Sequence, residues 1–141
     1  MSDFDVAISL AEAGTAGADP NGLVLEHHLT DRARLEAEVL SGGHLLHLAV
    51  AGCFFNDILR AAEARGIQIR DLRVEAGGGF EGEPLRSTGI GYSIEIAGDA
   101  PEAELKELVR DVEAAAAIPL SLREGVGVEP GEITVRASSS D

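Results

Sequence analysis

A chain of 141 residues with 45% hydrophobic side chains is long enough to bury a core as one domain, without disulfides or a structural metal; with aromatics at only 4%, Ala, Val, Ile and Leu must fill it. Its 25 acidic against 11 basic residues give a net charge of -14, which repels nucleic-acid phosphates and anionic lipid surfaces and excludes both as natural partners. A lone cysteine rules out an internal disulfide, the first five residues lack an export signal, and the longest mainly apolar stretch, residues 45–55, is about half of the roughly 20 residues that span a bilayer, so a soluble cytoplasmic protein is expected.

In chain order, Phe4, Val6, Ile8 and Leu10 alternate with smaller or polar residues at the two-residue period of a half-buried strand. Residues 11–21 are rich in Gly, Ala and acidic side chains and end in an Asp19-Pro20-Asn21-Gly22 turn signal. Leu23 and Leu25, then Leu35, Ala37 and Val39, mark two further short strands, completing a strand region over about residues 3–40. Ser41-Gly42-Gly43 punctuates the chain. From there to Gly66 the only helix-weakening residue is Gly52, which predicts a central helix over about 43–65. Its first half is apolar on most sides and reads as enclosed; its second half, with Asn56, Asp57, Arg60, Glu63 and Arg65, turns amphipathic.

Ile67 and Ile69, then Leu72, Val74 and Ala76, alternate with a change of phase at Asp71, the pattern of a bulged strand closed by Gly77-Gly78-Gly79. Residues 91–97 alternate through Tyr92, Ile94 and Ile96 as its partner. Asp99 and Glu102 suggest a capping box around Pro101. Leu105, Leu108, Val109 and Val112 then recur at helical spacing until Pro119 stops a second, amphipathic helix. Val126 and Val128 with Ile133 and Val135 flank Glu129-Pro130-Gly131 as a closing hairpin before the polar tail of residues 138–141. The strands and helix of residues 67–137 complete a single α+β domain over 1–141, with antiparallel sheets around a long buried helix.

Cys53, in the apolar half of the central helix, is either a small hydrophobe or a thiol held in a shaped pocket. Asn56, Asp57 and Arg60 follow it at three, four and seven residues, on the same helix face. A cation there favours a thiolate and Asp57 opposes it. All four histidines fall between positions 27 and 47, and His44 and His47 share a helix face at a spacing a metal can use. No carboxylate or cysteine stands at matching spacing, so structural roles are expected and no metal. Gly77-Gly78-Gly79-Phe80-Glu81-Gly82 matches a dinucleotide glycine pattern, but Glu83-Pro84 follows instead of a helix start, so no nucleotide cofactor is expected. Ser41-Gly42-Gly43 either offers free amides to an anion or packs closely at the start of the helix.

Residues 41–53, a Ser-Gly-Gly helix start and small-residue run ending in Cys53, resemble the first-cysteine segment of the OsmC/Ohr superfamily. Residues 54–66 fit the rest of that helix, 67–76 fit the next strand, and 117–126 resemble the family's second-cysteine segment, the likeness covering about 40–137. The resemblance implies an intertwined homodimer. It also implies an activity in which a peroxidatic cysteine, organised by an Arg and a Glu, reduces a hydroperoxide and a second cysteine resolves the sulfenic acid. Cys53 matches the first cysteine. Ile118 stands where the second belongs, Gly43 or His44 where the Glu belongs, and only Arg32 or Arg34 is offered for the Arg, without a motif. An internal disulfide cycle is thereby excluded. Two readings remain: a one-cysteine organic hydroperoxide reductase restored by an external thiol, or a dimer that binds a small apolar ligand. His44, His47, Asn56, Asp57 and Arg60 are the candidate pocket residues around Cys53.

Overall fold

A computed structural model of the chain describes residues 4–12, 17–19 and 22–137. Four strands come first: β1 (Val6–Leu10), β2 (Gly17–Asp19), β3 (Gly22–His27) and β4 (Thr30–Ala37). The long helix α1 (Gly42–Ala64) follows, then the paired strands β5 (Ile69–Glu81) and β6 (Arg86–Gly98), and finally helices α2 (Glu102–Ala115) and α3 (Ala117–Glu124). The six strands make one antiparallel sheet in the order β2-β3-β4-β1-β5-β6. This is the α+β architecture expected, with one sheet on one side of the central helix. The helix is buried only along the face that meets the sheet and α2. Its first half is not enclosed as expected, since Leu45 is 55% exposed and Ala49 is exposed, because none of the described residues covers its outer face.

α1 begins where Ser41 caps it: the serine side chain accepts from the His44 amide at 3.3 Å, which satisfies one of the free N–H groups of the first turn. It ends at Arg65, and Gly66 takes up the left-handed φ of +69° that a C-terminal stop requires. Val50, Phe54, Ile58 and Ala62 recur every four residues, all buried, and form the stripe that meets Ile8 on β1 and Leu72 and Val74 on β5. α2 lays Leu108 and Val112 against the same helix. By length and composition α1 is apolar enough to cross a membrane, and 44% of its most apolar window is buried inside the fold, as in the core helix of a globular domain.

Alternation along the strands decides what α1 covers. Val6 and Ile8 face the helix, whereas Ala7 and Ser9 point the other way, beneath an ionic lattice in which Arg73 grips Glu36 with both terminal nitrogens and reaches Glu75 through Nε. These acceptors raise the pKa of Arg73 further, with Glu36 the chief cause. The predicted bulge is present, as a register shift between Ile69 and Asp71.

Four expectations are corrected. Gly77-Gly78-Gly79 does not close β5 but lies inside it: a Cβ on Gly78 would collide with the Gly89 carbonyl oxygen and stand 2.9 Å from His47 Nε2, so glycine here permits a close approach rather than a turn. No capping box forms, because Asp99 pairs with Arg70 at 3.1 Å and the cap of α2, Pro101, has no side-chain bond. Pro119 does not stop α2. The chain breaks at Ala116, and Pro119 sits in the first turn of α3, where a missing N–H costs nothing. The closing hairpin is absent. Residues 125–137 form no strand, and Val128 and Val135 are 90% and 86% exposed. A two-stranded ribbon needs a surface to lie on, and the described residues present none there. β2 occupies part of a stretch read as irregular, while Pro20 and Asn21 of the turn signal and the tail at 138–141 lie outside the described residues.

Candidate functional site

Cys53 lies in the fourth turn of α1 and is only 7% exposed. Its sulfur accepts a hydrogen bond from the Ile118 main-chain N–H at 3.4 Å. Ile118 is the second residue of α3, so the sulfur faces the amino-terminal turn of a helix, where free N–H groups and the helix dipole concentrate positive potential. The break at Ala116, which swings α3 back over α1, creates this contact.

Near this contact, lined by Val50 and Pro119 but not by Cys53 or Ile118 themselves, lies a cavity of about 360 Å³ that is open to solvent on one side, where Ser87 and Gly89 are exposed. Leu46 and Val50 supply the α1 wall, Val50 lying one turn before the cysteine. Ile90 and Tyr92 come from β6, and Pro119, Leu122 and Arg123 from α3. The Tyr92 ring packs on Phe54 at 4.4 Å, and its hydroxyl donates to Glu113. That bond is the main reason the phenol titrates above its usual value of 10.0, burial adds to it, and the nearby Arg123 guanidinium acts in the opposite direction.

The other candidate residues fall in two separate places. His44 and His47 are buried against Phe4, with ring centroids 5.1 and 6.2 Å away. His44 Nδ1 meets Ser41 Oγ at 2.7 Å, while neither nitrogen of His47 has a partner among the described residues. Asn56, Asp57 and Arg60 gather with His27 and His28 at the β3–β4 turn. The Leu29 amide donates to His27 Nδ1 at 3.0 Å, so Nε2 carries the proton and donates to Asn56 Oδ1. Arg60 donates to Asp57 at 2.8 Å and to His28 Nε2 at 3.2 Å. The pKa of His27 is lowered from 6.5, first by burial and then by the charges of His28 and Arg60, against the opposing hydrogen bond with Asn56.

Arg32 and Arg34 are not close to the thiol within one chain. Arg34 pairs in register with Ser9, on the sheet face away from α1, with Nε 3.4 Å from Glu36, and Arg32 donates to the Ala11 carbonyl at 2.7 Å. Among the described residues no three His, Cys, Asp or Glu side chains are grouped so as to hold a metal.

Residues 35–130, about two thirds of the chain, match the family described as OsmC-like protein. The chain belongs to the OsmC-like family. Among solved structures it is similar to an OsmC-like hydroperoxide resistance protein from Jannaschia sp. CCS1, at 13% identity and a TM-score of 0.51, over 98% of this chain and 96% of that one. Curated protein sequences give no match. Within this OsmC-like fold the sequence reading singled out Cys53 and Ile118 but not Tyr92, Glu113 or Arg123, which are separated from α1 along the chain and carry no motif. The one available signal was Arg123 itself, five residues beyond Ile118 on the same short helix.

Proposed function

We propose that this OsmC-like protein is a one-cysteine organic hydroperoxide reductase of the cytoplasm, serving peroxide stress and working as a homodimer. The observation that carries this reading is the hydrogen bond from the first turn of α3 to Cys53 Sγ beside an apolar cavity. It is supported by family membership and by a structural neighbour named for hydroperoxide resistance.

In this reaction the Cys53 sulfur attacks the distal oxygen of R–O–O–H. The O–O bond breaks, an S–O bond forms, and the alkoxide leaves and takes the thiol proton, so that Cys–SH plus ROOH gives Cys–SOH plus ROH. With Ile118 in place of a resolving cysteine, a small external thiol completes the cycle. One thiol condenses with the sulfenic acid to a mixed disulfide and water, and a second releases Cys53 and leaves as the oxidised disulfide. Main-chain amides of α3 take the stabilising role that an Arg and a Glu fill elsewhere in the family, and the apolar wall selects organic peroxides over hydrogen peroxide.

The test is peroxide consumption with cumene hydroperoxide and excess dithiol. Wild type should consume it and form a trappable sulfenic acid at Cys53, and Cys53→Ser should lose both; undiminished consumption by the variant refutes the assignment. A second reading, a dimer that binds a small apolar ligand without turnover, is favoured by one observation: among the described residues no Arg or Glu side chain bonds to the sulfur. Native mass spectrometry of the purified protein, showing a retained ligand alongside an inert Cys53, decides for it.

A further inference from the structure

The amide that faces the Cys53 sulfur belongs to a helix with few anchors of its own. In α3 only Pro119 is buried, Ile118, Leu120 and Leu122 are exposed, and the helix packs chiefly on α1. The chain bends at Ala116 before it and turns at Gly125 after it, where φ is +78°, and residues 125–137 form no strand that would hold its far end. Holding an eight-residue helix in one place costs more conformational entropy than one amide bond to sulfur offsets, so its far end needs a second tie. That tie is in the last turn of α3. The Arg123 guanidinium donates to the Tyr92 phenol oxygen, and the phenol proton goes in turn to Glu113 on α2. Tyr92 is itself fixed on β6, its ring 4.4 Å from that of Phe54, the fully buried neighbour of Cys53 in sequence. A single hydroxyl thus joins three elements, with a cation on its oxygen and a carboxylate on its proton, so both bonds are charge-assisted and each polarises the other.

We propose that Tyr92 is a positioning residue for Cys53: its hydroxyl, through Arg123 and Glu113, clasps α3 to β6 and α2 and so keeps the Ile118 N–H on the sulfur. This rests on the proposed function only in taking Cys53 as the reacting thiol, whose thiolate that amide stabilises. With the clasp open, α3 pivots about Ala116, which has two separable consequences. The amide leaves the sulfur, so the thiolate forms at higher pH, and the thiol, now 7% exposed, opens to solvent, so the thiolate that does form reacts faster. Arg123 is exposed and belongs to the clasp by its reach to the phenol, so its removal releases α3 without disturbing the core.

The experiment is the rate of alkylation by iodoacetamide as a function of pH, read from intact mass; the chain has a single cysteine, so every adduct reports on Cys53. The proteins are wild type, Arg123→Leu, Tyr92→Phe, which keeps the ring on Phe54 and deletes only the hydroxyl, and the double variant. In Arg123→Leu the midpoint of the profile should move up by roughly half to one pH unit, the effect of losing one hydrogen bond to a thiolate, and the plateau rate above it should rise. Tyr92→Phe should move the midpoint in the same direction, and the double variant no further than Arg123→Leu alone, because a hydroxyl without its arginine no longer holds α3. A wild-type midpoint in Arg123→Leu overturns the proposal. So does a wild-type midpoint in Tyr92→Phe, which would make Arg123 a nearby charge and nothing more, and so do shifts that add in the double variant. Should Tyr92→Phe fail to fold, the exposed Arg123→Leu carries the test alone. Alkylation needs no peroxide, which keeps the two readings apart. Shifted profiles without hydroperoxide consumption by wild type remove the reductase and leave the clasp, and consumption with coincident profiles does the reverse.

Discussion

At Cys53 the sulfur faces a main-chain amide rather than a side-chain cation, and the amide comes from Ile118, where the sequence resemblance expects the second cysteine. With Ile118 N only 3.4 Å from Sγ, a side chain at 118 starts within disulfide reach of Cys53. Ile118→Cys should therefore form a disulfide between the introduced thiol and Cys53 under mild diamide treatment, seen as the loss of two thiols to Ellman's reagent and a correspondingly lighter intact mass; two persistent free thiols would show that α3 does not sit over the sulfur. Cys53 and the significance of position 118 were legible from the small-residue run and the later proline. Tyr92, Glu113 and Arg123 were not, because their grouping depends on β6, α2 and α3 folding back to α1, and sequence spacing carries no record of that.

Elements meet α1 at two places that make testable claims about stability. Where the β3–β4 turn rests on its second half, His27 is held neutral. Its pKa is lowered from 6.5 in the folded chain, so the unfolded chain binds this proton more readily, and the stabilisation is complete above 6.5 and lost as the pH falls through the lowered value. The thermal midpoint of wild type should drop between about pH 7.5 and about pH 5.5, and His27→Gln should flatten that drop, since other titrations are common to both proteins. Parallel curves for the two would remove His27 as the cause. Where β5 and β6 cross the helix, Gly78→Ala forces a methyl group against the Gly89 carbonyl, a backbone group that has no rotamer to escape into. Urea melts should show a loss of about 1–3 kcal/mol, the usual range for overpacking, and an unchanged midpoint would contradict the close approach. The run of glycines was visible in the sequence, but its meaning was not. Three glycines read as a turn until the histidine and strand they admit are seen.

For the molecule as a whole, the uncovered apolar surface is the feature still to be accounted for. α1 packs chiefly over β1 and β5, so Leu23 and Leu25 on β3, which share its side of the sheet, stay 45% exposed, and Val128, Ile133 and Val135 project from residues 125–137. A homodimer, proposed from the family likeness, gives both surfaces a partner. Light scattering coupled to size exclusion should show a dimer mass for wild type and roughly half of it for the double variant Val128→Asp with Ile133→Asp; a dimer that survives both charges would place the interface elsewhere. Composition, periodicity and helix-stop signals by themselves determined the α+β class, the extent of the central helix, read as about 43–65 and found at Gly42–Ala64, the bulge near Asp71 and the candidacy of Cys53, because each rests on neighbours within a few residues. The tertiary structure alone decided that Gly78 is a contact and not a turn, that Pro119 lies in the first turn of a helix, that 125–137 has no strand partner among the described residues, and that Arg123 and Tyr92 share a cavity with α1. These depend on groups brought together from distant parts of the chain by burial, which acts on area and shape and leaves no local pattern to read.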